Sequence, residues 1–176
     1  GGELFSGVNV PSKAFGEFVE ITCHTPNISA EDLKAKLDAG DDLVVLDSRP
    51  YTEYHRMSIP AGIDVPGAEL AYRVHDLAPS AETLVVVNCA GRTRSIIGAQ
   101  SLVNAGIPNT VMALRNGTMG WELAGYETER GMERRALEIS DDGLVKAKAV
   151  ADRVGQRFGV ETIDTAILQS WRGEAG

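Results

Sequence analysis

Basic residues are in short supply: Lys and Arg total 17 against 25 Asp and Glu, a formal net charge of −8 over 176 residues. A chain so balanced lacks the broad positive field that non-specific nucleic-acid or anionic-membrane binding needs, so both partners are disfavoured. Cysteine is as scarce. Cys23 and Cys89 are the only two, too few for a disulfide-stapled secreted scaffold. Long apolar runs are missing as well. The longest candidates, Leu43 to Leu46 and Leu84 to Val87, are strand-sized and far short of the roughly 20 residues a bilayer span takes. The start, Gly1-Gly2-Glu3, has no Met, no basic n-region and no apolar h-region. No signal peptide is read there, the chain reads as an excised fragment or a processed product, and cytoplasm is the expected compartment. What is present is ordinary: 43% hydrophobic and 24% charged residues, values of a soluble globular protein with about one domain's length.

Residues 1–27 are rich in Gly, Pro and Ser and read as a linker or extended arm packed on something else. Order is expected from Ser29, an N-cap with Asp32 at the third helical position and Ile28 and Leu33 as hydrophobic staple. Gly40 fits the stop of that helix. Leu43-Val44-Val45-Leu46-Asp47 is a continuous run of the buried parallel-strand type. A loop punctuated by Pro60, Gly62 and Pro66 follows, then a short helix over 68–77. The second strong strand is Thr83 to Asn88, ending at Cys89. A helix over about 94–105 stops at Gly106, 110–114 make a third strand, and a short helix near 119–123 closes at Gly125. Strands alternating with helices give an α/β fold, a parallel sheet with helices as crossovers. Beyond Gly131 the chain turns polar, and Asp141 or Asp142 is expected to cap a helix from Leu144 to Phe158. Residues 163–168 echo 28–33: an apolar residue, a capping residue and a helix start.

The segment Asn88-Cys89-Ala90-Gly91-Arg92-Thr93-Arg94-Ser95 carries the chemistry. In open α/β sheets, ligands bind at the carboxyl ends of strands. A short strand-to-helix loop there can present successive amides to an anion, beside the partial positive charge of a helix N-terminus. Arg92 and Arg94 add two full charges, and all three effects favour thiolate over thiol at Cys89. Ala90, Gly91, Arg92, Thr93, Arg94 and Ser95 are thus the expected substrate-binding residues around a catalytic Cys89. Thr93 and Ser95 offer hydroxyls to an anion or to the helix cap. The interval is Cys-x4-Arg, one residue shorter than the Cys-x5-Arg of cysteine-dependent phosphatases. The tighter cup suits a single extra sulfur carried as a persulfide rather than a tetrahedral phosphate.

With these residues in place, 28–131 resembles a rhodanese (sulfurtransferase) domain. The marks are Leu46-Asp47-Ser48-Arg49, Glu53-Tyr54-His55, Ile59-Pro60-Ala61-Gly62-Ile63, the Cys89 to Ser95 loop, and Leu114-Arg115-Asn116-Gly117 with Gly120-Trp121. The resemblance implies a central parallel sheet flanked by helices on both faces. It also implies a cysteine that takes sulfane sulfur from an anionic donor such as thiosulfate and passes it to cyanide or a thiol. Two departures stand out: the loop glycine falls two residues after the cysteine, at Gly91, rather than three, and Asn116-Gly117 replaces the common Gly-Gly pair. The resemblance also favours reading 132–176 as a helical linker leading into a further domain of the same type, with neighbouring rhodanese domains as partners. No cofactor or metal is implied.

Other residues carry plainer expectations. Asp47 and Arg49 form a supporting ion pair at the strand end. His55 fixes the loop before Pro60, and His75 is exposed. Trp121 belongs to the core. Cys23-His24 is too sparse for a metal site, and Cys23 has no assigned role.

Overall fold

The computed structural model describes residues 10–174. Five parallel strands form one sheet in the order β1-β5-β4-β2-β3. These are β1 (Asn27–Ile28), β2 (Leu43–Asp47), β3 (Gly62–Asp64), β4 (Leu84–Asn88) and β5 (Val111–Leu114). The central pair, β2 and β4, is in register from Leu43 opposite Leu84 to Asp47 opposite Asn88. Because successive strand residues face opposite ways, this run feeds two cores. Val44, Leu46, Val85 and Val87 join Leu70, Val74, Ile96 and Leu102 on one face. Val45 and Val86 join Ile28, Leu33, Ile59, Leu114 and Trp121 on the other.

The described residues form eight α-helices: α1 (Pro11–Cys23), α2 (Ala30–Ala39), α3 (Tyr51–Arg56), α4 (Leu70–Leu77), α5 (Thr93–Ala105), α6 (Gly117–Leu123), α7 (Asp141–Phe158) and α8 (Thr165–Glu174). The first core lies under α4 and α5, the second under α2 and α6. The α/β architecture with helices on both faces is therefore as the sequence reads. So is the cap of α2, where Ser29 Oγ accepts from the Asp32 amide at 3.0 Å. No helix among the described residues is long and apolar enough to cross a membrane.

Four local expectations change. Residues 11–23 are helical rather than extended, while residues 1–9 of the expected arm lie outside the described residues. Pro11 occupies the first turn, where its missing N–H costs nothing. The side of α1 facing the protein is mostly polar: Lys13, Gly16, Glu17 and Glu20 are covered or half-covered with Val19 packed on the first core, whereas Phe15, Phe18 and Ile21 are exposed. The helix's apolar stripe therefore lies mainly on its exposed side and does not mark the face that meets the protein. Second, the loop after Asp47 contains α3 and β3. Third, α7 is capped by Ser140, whose Oγ accepts from the Gly143 amide at 3.0 Å and donates to Asp76 Oδ1 at 2.7 Å. Before it, residues 132–140 run without helix beside β3, the Asp64 amide donating to Arg134 O at 2.9 Å. Fourth, His75 is half-buried with Nε2 covered and unpartnered, and burial lowers its pKa.

Helix α7 packs on α4 and α5, burying Ala147 and Val150. Helix α8 repeats the cap of α2, Asp164 Oδ1 accepting from the Ile167 amide at 2.8 Å, but its described side chains are all exposed.

Candidate active site

Cys89 stands one residue past the end of β4, and α5 begins at Thr93. The chain must reverse between them in three residues. What fixes the turn comes from α6. Thr118 donates to Cys89 O twice, from its amide at 2.8 Å and its hydroxyl at 3.2 Å, and the Met119 amide donates to Ala90 O at 3.0 Å. This docking needs a bare backbone at Gly117. It sits at φ 53°, and any Cβ there would collide with Cys89 O. Asn116 takes the left-handed conformation before it, φ 60°, which Asn tolerates better than most residues. The departure from a Gly-Gly pair is thereby accommodated.

Beneath the loop lies a buried polar network. Asp47 accepts from Arg49 Nε at 2.8 Å and Nη2 at 2.7 Å, and its Oδ2 also accepts from Asn88 Nδ2 at 2.8 Å. Asn88 Nδ2 donates in turn to Thr118 Oγ1 at 3.0 Å. The expected ion pair is therefore present, wholly buried, and joined through Asn88 to the residue that anchors Cys89 O. Asp64, opposite Asp47 on β3, is buried with Oδ1 unpartnered, and desolvation followed by the Asp47 charge raises its pKa.

The Cys89 side chain forms the floor of a cleft of about 470 Å³, also lined by Ala90, Gly91, Arg92, Thr93, Arg94 and Met119, with Ser12 and Lys13 of α1. The residue is 1% exposed. Its Sγ donates to Ser95 Oγ at 3.5 Å, and Ser95 Oγ donates to Arg92 O at 2.8 Å. Among the described residues, the amides of Ala90, Gly91, Thr93 and Arg94 donate to no backbone carbonyl, as befits a loop leading into a helix N-terminus. A larger cleft, about 810 Å³, lies between α4, α5 and α7. Its lining is mostly apolar with no nucleophilic thiol, so its size does not make it the site of chemistry.

Both loop arginines line the Cys89 cleft, yet each already holds a carboxylate. Arg92 reaches Glu20 Oε2 at 2.6 Å and Glu17 Oε1 at 3.4 Å on α1. Arg94 makes a two-pronged contact with Glu53 on α3, at 2.9 and 2.8 Å. The Arg94 hydrogen bond holds the Glu53 carboxyl below its ordinary range. The double positive charge expected from the sequence is thus balanced by three glutamates. Thr93 turns toward α1, where a Cβ on Gly16 would lie 3.0 Å from its methyl group. Sequence reading missed Ser12, Lys13, Glu17, Glu20, Glu53 in its pairing role, and Thr118. The one available signal was the i, i+3, i+4, i+7 spacing of Lys13, Gly16, Glu17 and Glu20, read as a docking face.

The remaining assignments are structural. His55 Nδ1 lies 3.3 Å from Tyr51 Oη and 3.2 Å from Met132 O, so it ties α3 to the segment after Gly131 rather than to the loop before Pro60. Trp121 is buried in the core and donates to Glu127 O. Cys23 is exposed. Among the described residues, no group of three or more His, Cys, Asp or Glu could hold a metal ion.

A family model described as a rhodanese-like domain matches residues 29–124. The chain belongs to the rhodanese-like domain family. A solved rhodanese-fold structure, a thiosulfate sulfurtransferase from Pseudomonas aeruginosa, is 59% identical with a TM-score of 0.90, over 95% of this chain and 32% of that one. The likeness therefore runs beyond the rhodanese-like match and takes in flanking helices. Among curated proteins, "Putative sulfur carrier protein YrkF" of Bacillus subtilis (strain 168) is 30% identical over 53% of this chain and 51% of its own length. "HTH-type transcriptional regulator Rv0324" of Mycobacterium tuberculosis (strain ATCC 25618 / H37Rv) is 29% identical over 59% of this chain and 45% of its own. The chain spans about half the length of the curated relatives it matches and about a third of the solved sulfurtransferase.

Proposed function

We propose that this rhodanese-like chain is a sulfurtransferase acting through a persulfide on Cys89. The carrying observation is a cysteine at the floor of a cleft, at the end of a central parallel strand, in a Cys-x4-Arg loop whose carbonyls are pinned by Thr118 and Met119. The Cys89 thiolate attacks the outer sulfur of a thiosulfate-like donor. A new sulfur–sulfur bond forms to Sγ, the donor's own sulfur–sulfur bond breaks, and sulfite leaves with the electron pair. A thiol or cyanide then attacks the outer sulfur of the persulfide, and Cys89 departs as thiolate. Loop amides without backbone acceptors would stabilise the anionic outer sulfur, and Arg94, with Arg92 beside it, would meet the donor's oxyanion. The 59% identical thiosulfate sulfurtransferase supports this donor class.

Intact mass after incubation with thiosulfate tests it. One sulfur atom adds to the native chain and none to Cys89→Ala, and thiocyanate formation from cyanide vanishes in that variant. A fully active Cys89→Ala protein refutes the reading. A second reading, a carrier that loads sulfur but does not turn over small acceptors, draws on the Bacillus relative named for sulfur carriage and on the carboxylates already seated on both arginines. Loading without thiocyanate production would select it. Hydrolysis of an aryl phosphate that depends on Cys89 would instead revive phosphatase chemistry, which the short loop disfavours.

A further inference from the structure

The two loop arginines are held in different ways. Arg92 has only 15% of its side chain exposed and meets two carboxylates that are themselves largely covered. Arg94 and Glu53 are 42% and 43% exposed, and ion pairs between groups so open to water are weak. The geometry of the weak pair is nonetheless good: both nitrogens of one guanidinium edge meet both carboxylate oxygens. That is the fork a guanidinium offers to an oxyanion of any origin. Glu53, which is not among the residues lining the Cys89 cleft, therefore holds the guanidinium edge that the oxygens of an anionic ligand would use. Arg94 also lines a neighbouring cleft of about 610 Å³ with Tyr51 and Ile97 as well as the Cys89 cleft, so it stands on the wall between the two.

We propose that Glu53 is an internal competitor for the donor's oxyanion, holding Arg94 in the resting protein and yielding it when an anionic sulfur donor enters the Cys89 cleft. The proposal rests on the sulfur-transfer reading and adds to it the residue that sets the donor's KM. The exchange is one of hydrogen bonds only. Glu53 touches Arg94, not the reacting sulfur, so it is a specificity-determining residue acting through another. A donor without an oxyanion has nothing to exchange for Glu53. The exchange therefore distinguishes thiosulfate-like oxyanions from persulfides, which carry no oxyanion, and it admits the former at a handicap.

Steady-state kinetics of Glu53→Gln in the whole chain, with cyanide as acceptor, test this. KM for thiosulfate should fall about two- to fivefold, the range that loss of an exposed ion pair permits. Sulfate should inhibit correspondingly more tightly, and kcat should move less than KM. KM for an alkyl persulfide, which has no oxyanion for the Arg94 fork, should shift less. An unshifted or higher thiosulfate KM overturns the proposal, as does an equal shift for both donors. If Glu53→Gln does not fold, Glu53→Asp, too short to hold the same fork, must lower the thiosulfate KM too; an unshifted value overturns the proposal. Failure of native chain and variant alike to gain sulfur at Cys89 sinks the sulfur-transfer reading itself. Equal loading with equal KM sinks only the role of Glu53.

Discussion

The two sides of the Cys89 cleft are built on different physics. The inner side, from Asp47 through Asn88 and Thr118 to the Cys89 carbonyl, is buried and held by short hydrogen bonds between groups that have no water to fall back on. The outer side, Glu17 and Glu20 on α1 and Glu53 on α3, is held by ion pairs ranging from largely covered to half-exposed. The inner side fixes the backbone that carries Cys89; in the proposed sulfur transfer the outer side would set how much positive charge an arriving anion meets. Rigidity and responsiveness would thus be divided between the network beneath the loop and the carboxylates around its arginines.

Breaking the inner side should cost most. Asp47→Asn leaves the buried guanidinium of Arg49 without its counter-charge, and removal of one partner from such a pair costs about 3–5 kcal/mol. Chemical denaturation should reveal a loss of that order, and a loss under 1 kcal/mol would dissolve the contrast between the walls. On the outer side, Glu20→Gln removes the nearer of the two Arg92 carboxylates in a partly covered pair. The expected loss is about 1 kcal/mol, with a double-mutant cycle against Arg92 isolating the pair itself.

The smallest effect is in pH dependence, and there the two sides carry opposite signs. Asp64 has a raised pKa in the fold, so the native state holds its proton more tightly than the unfolded chain does. Its contribution to stability is intact below the ordinary carboxylate value and declines as pH climbs through the raised one. Asp64→Asn should therefore gain stability relative to the native chain at neutral pH, the gap closing toward pH 4. Glu53 has a lowered pKa, so its pair contributes above the ordinary glutamate value and is lost as pH falls through the depressed one. Titrating the stability of Asp64→Asn and Glu53→Gln against the native chain should give slopes of opposite sign, and slopes of the same sign would refute the division.

The sheet was legible because its strands are dense: Leu43 to Asp47 and Leu84 to Asn88 are buried on both faces and read as uninterrupted apolar runs. Strands β1 and β3, two and three residues long, are too short to show any period. Helix α3 is six residues of mostly polar character behind Pro50. The position of Cys89 was legible for the same reason as β4, since the strand points at it. The partners of Arg92 and Arg94 were not: they lie 72 to 75 and 41 residues away in the chain, and charged residues on a surface carry no mark of which counter-ion they will meet. His75, polar and on a short helix, reads as exposed, but α7 folds over that helix.

The underside of α1 has a practical bearing on how the protein is cut and grafted. The rhodanese-like family model covers 29–124, but the Cys89 cleft is also lined by Ser12 and Lys13, well upstream of that boundary. A transplant limited to the homologous stretch would carry the thiol and both guanidinium groups while leaving behind the glycine seat for Thr93 and the two acids that steady Arg92. The stretch that the family model matches is shorter than the unit that encloses the Cys89 thiol.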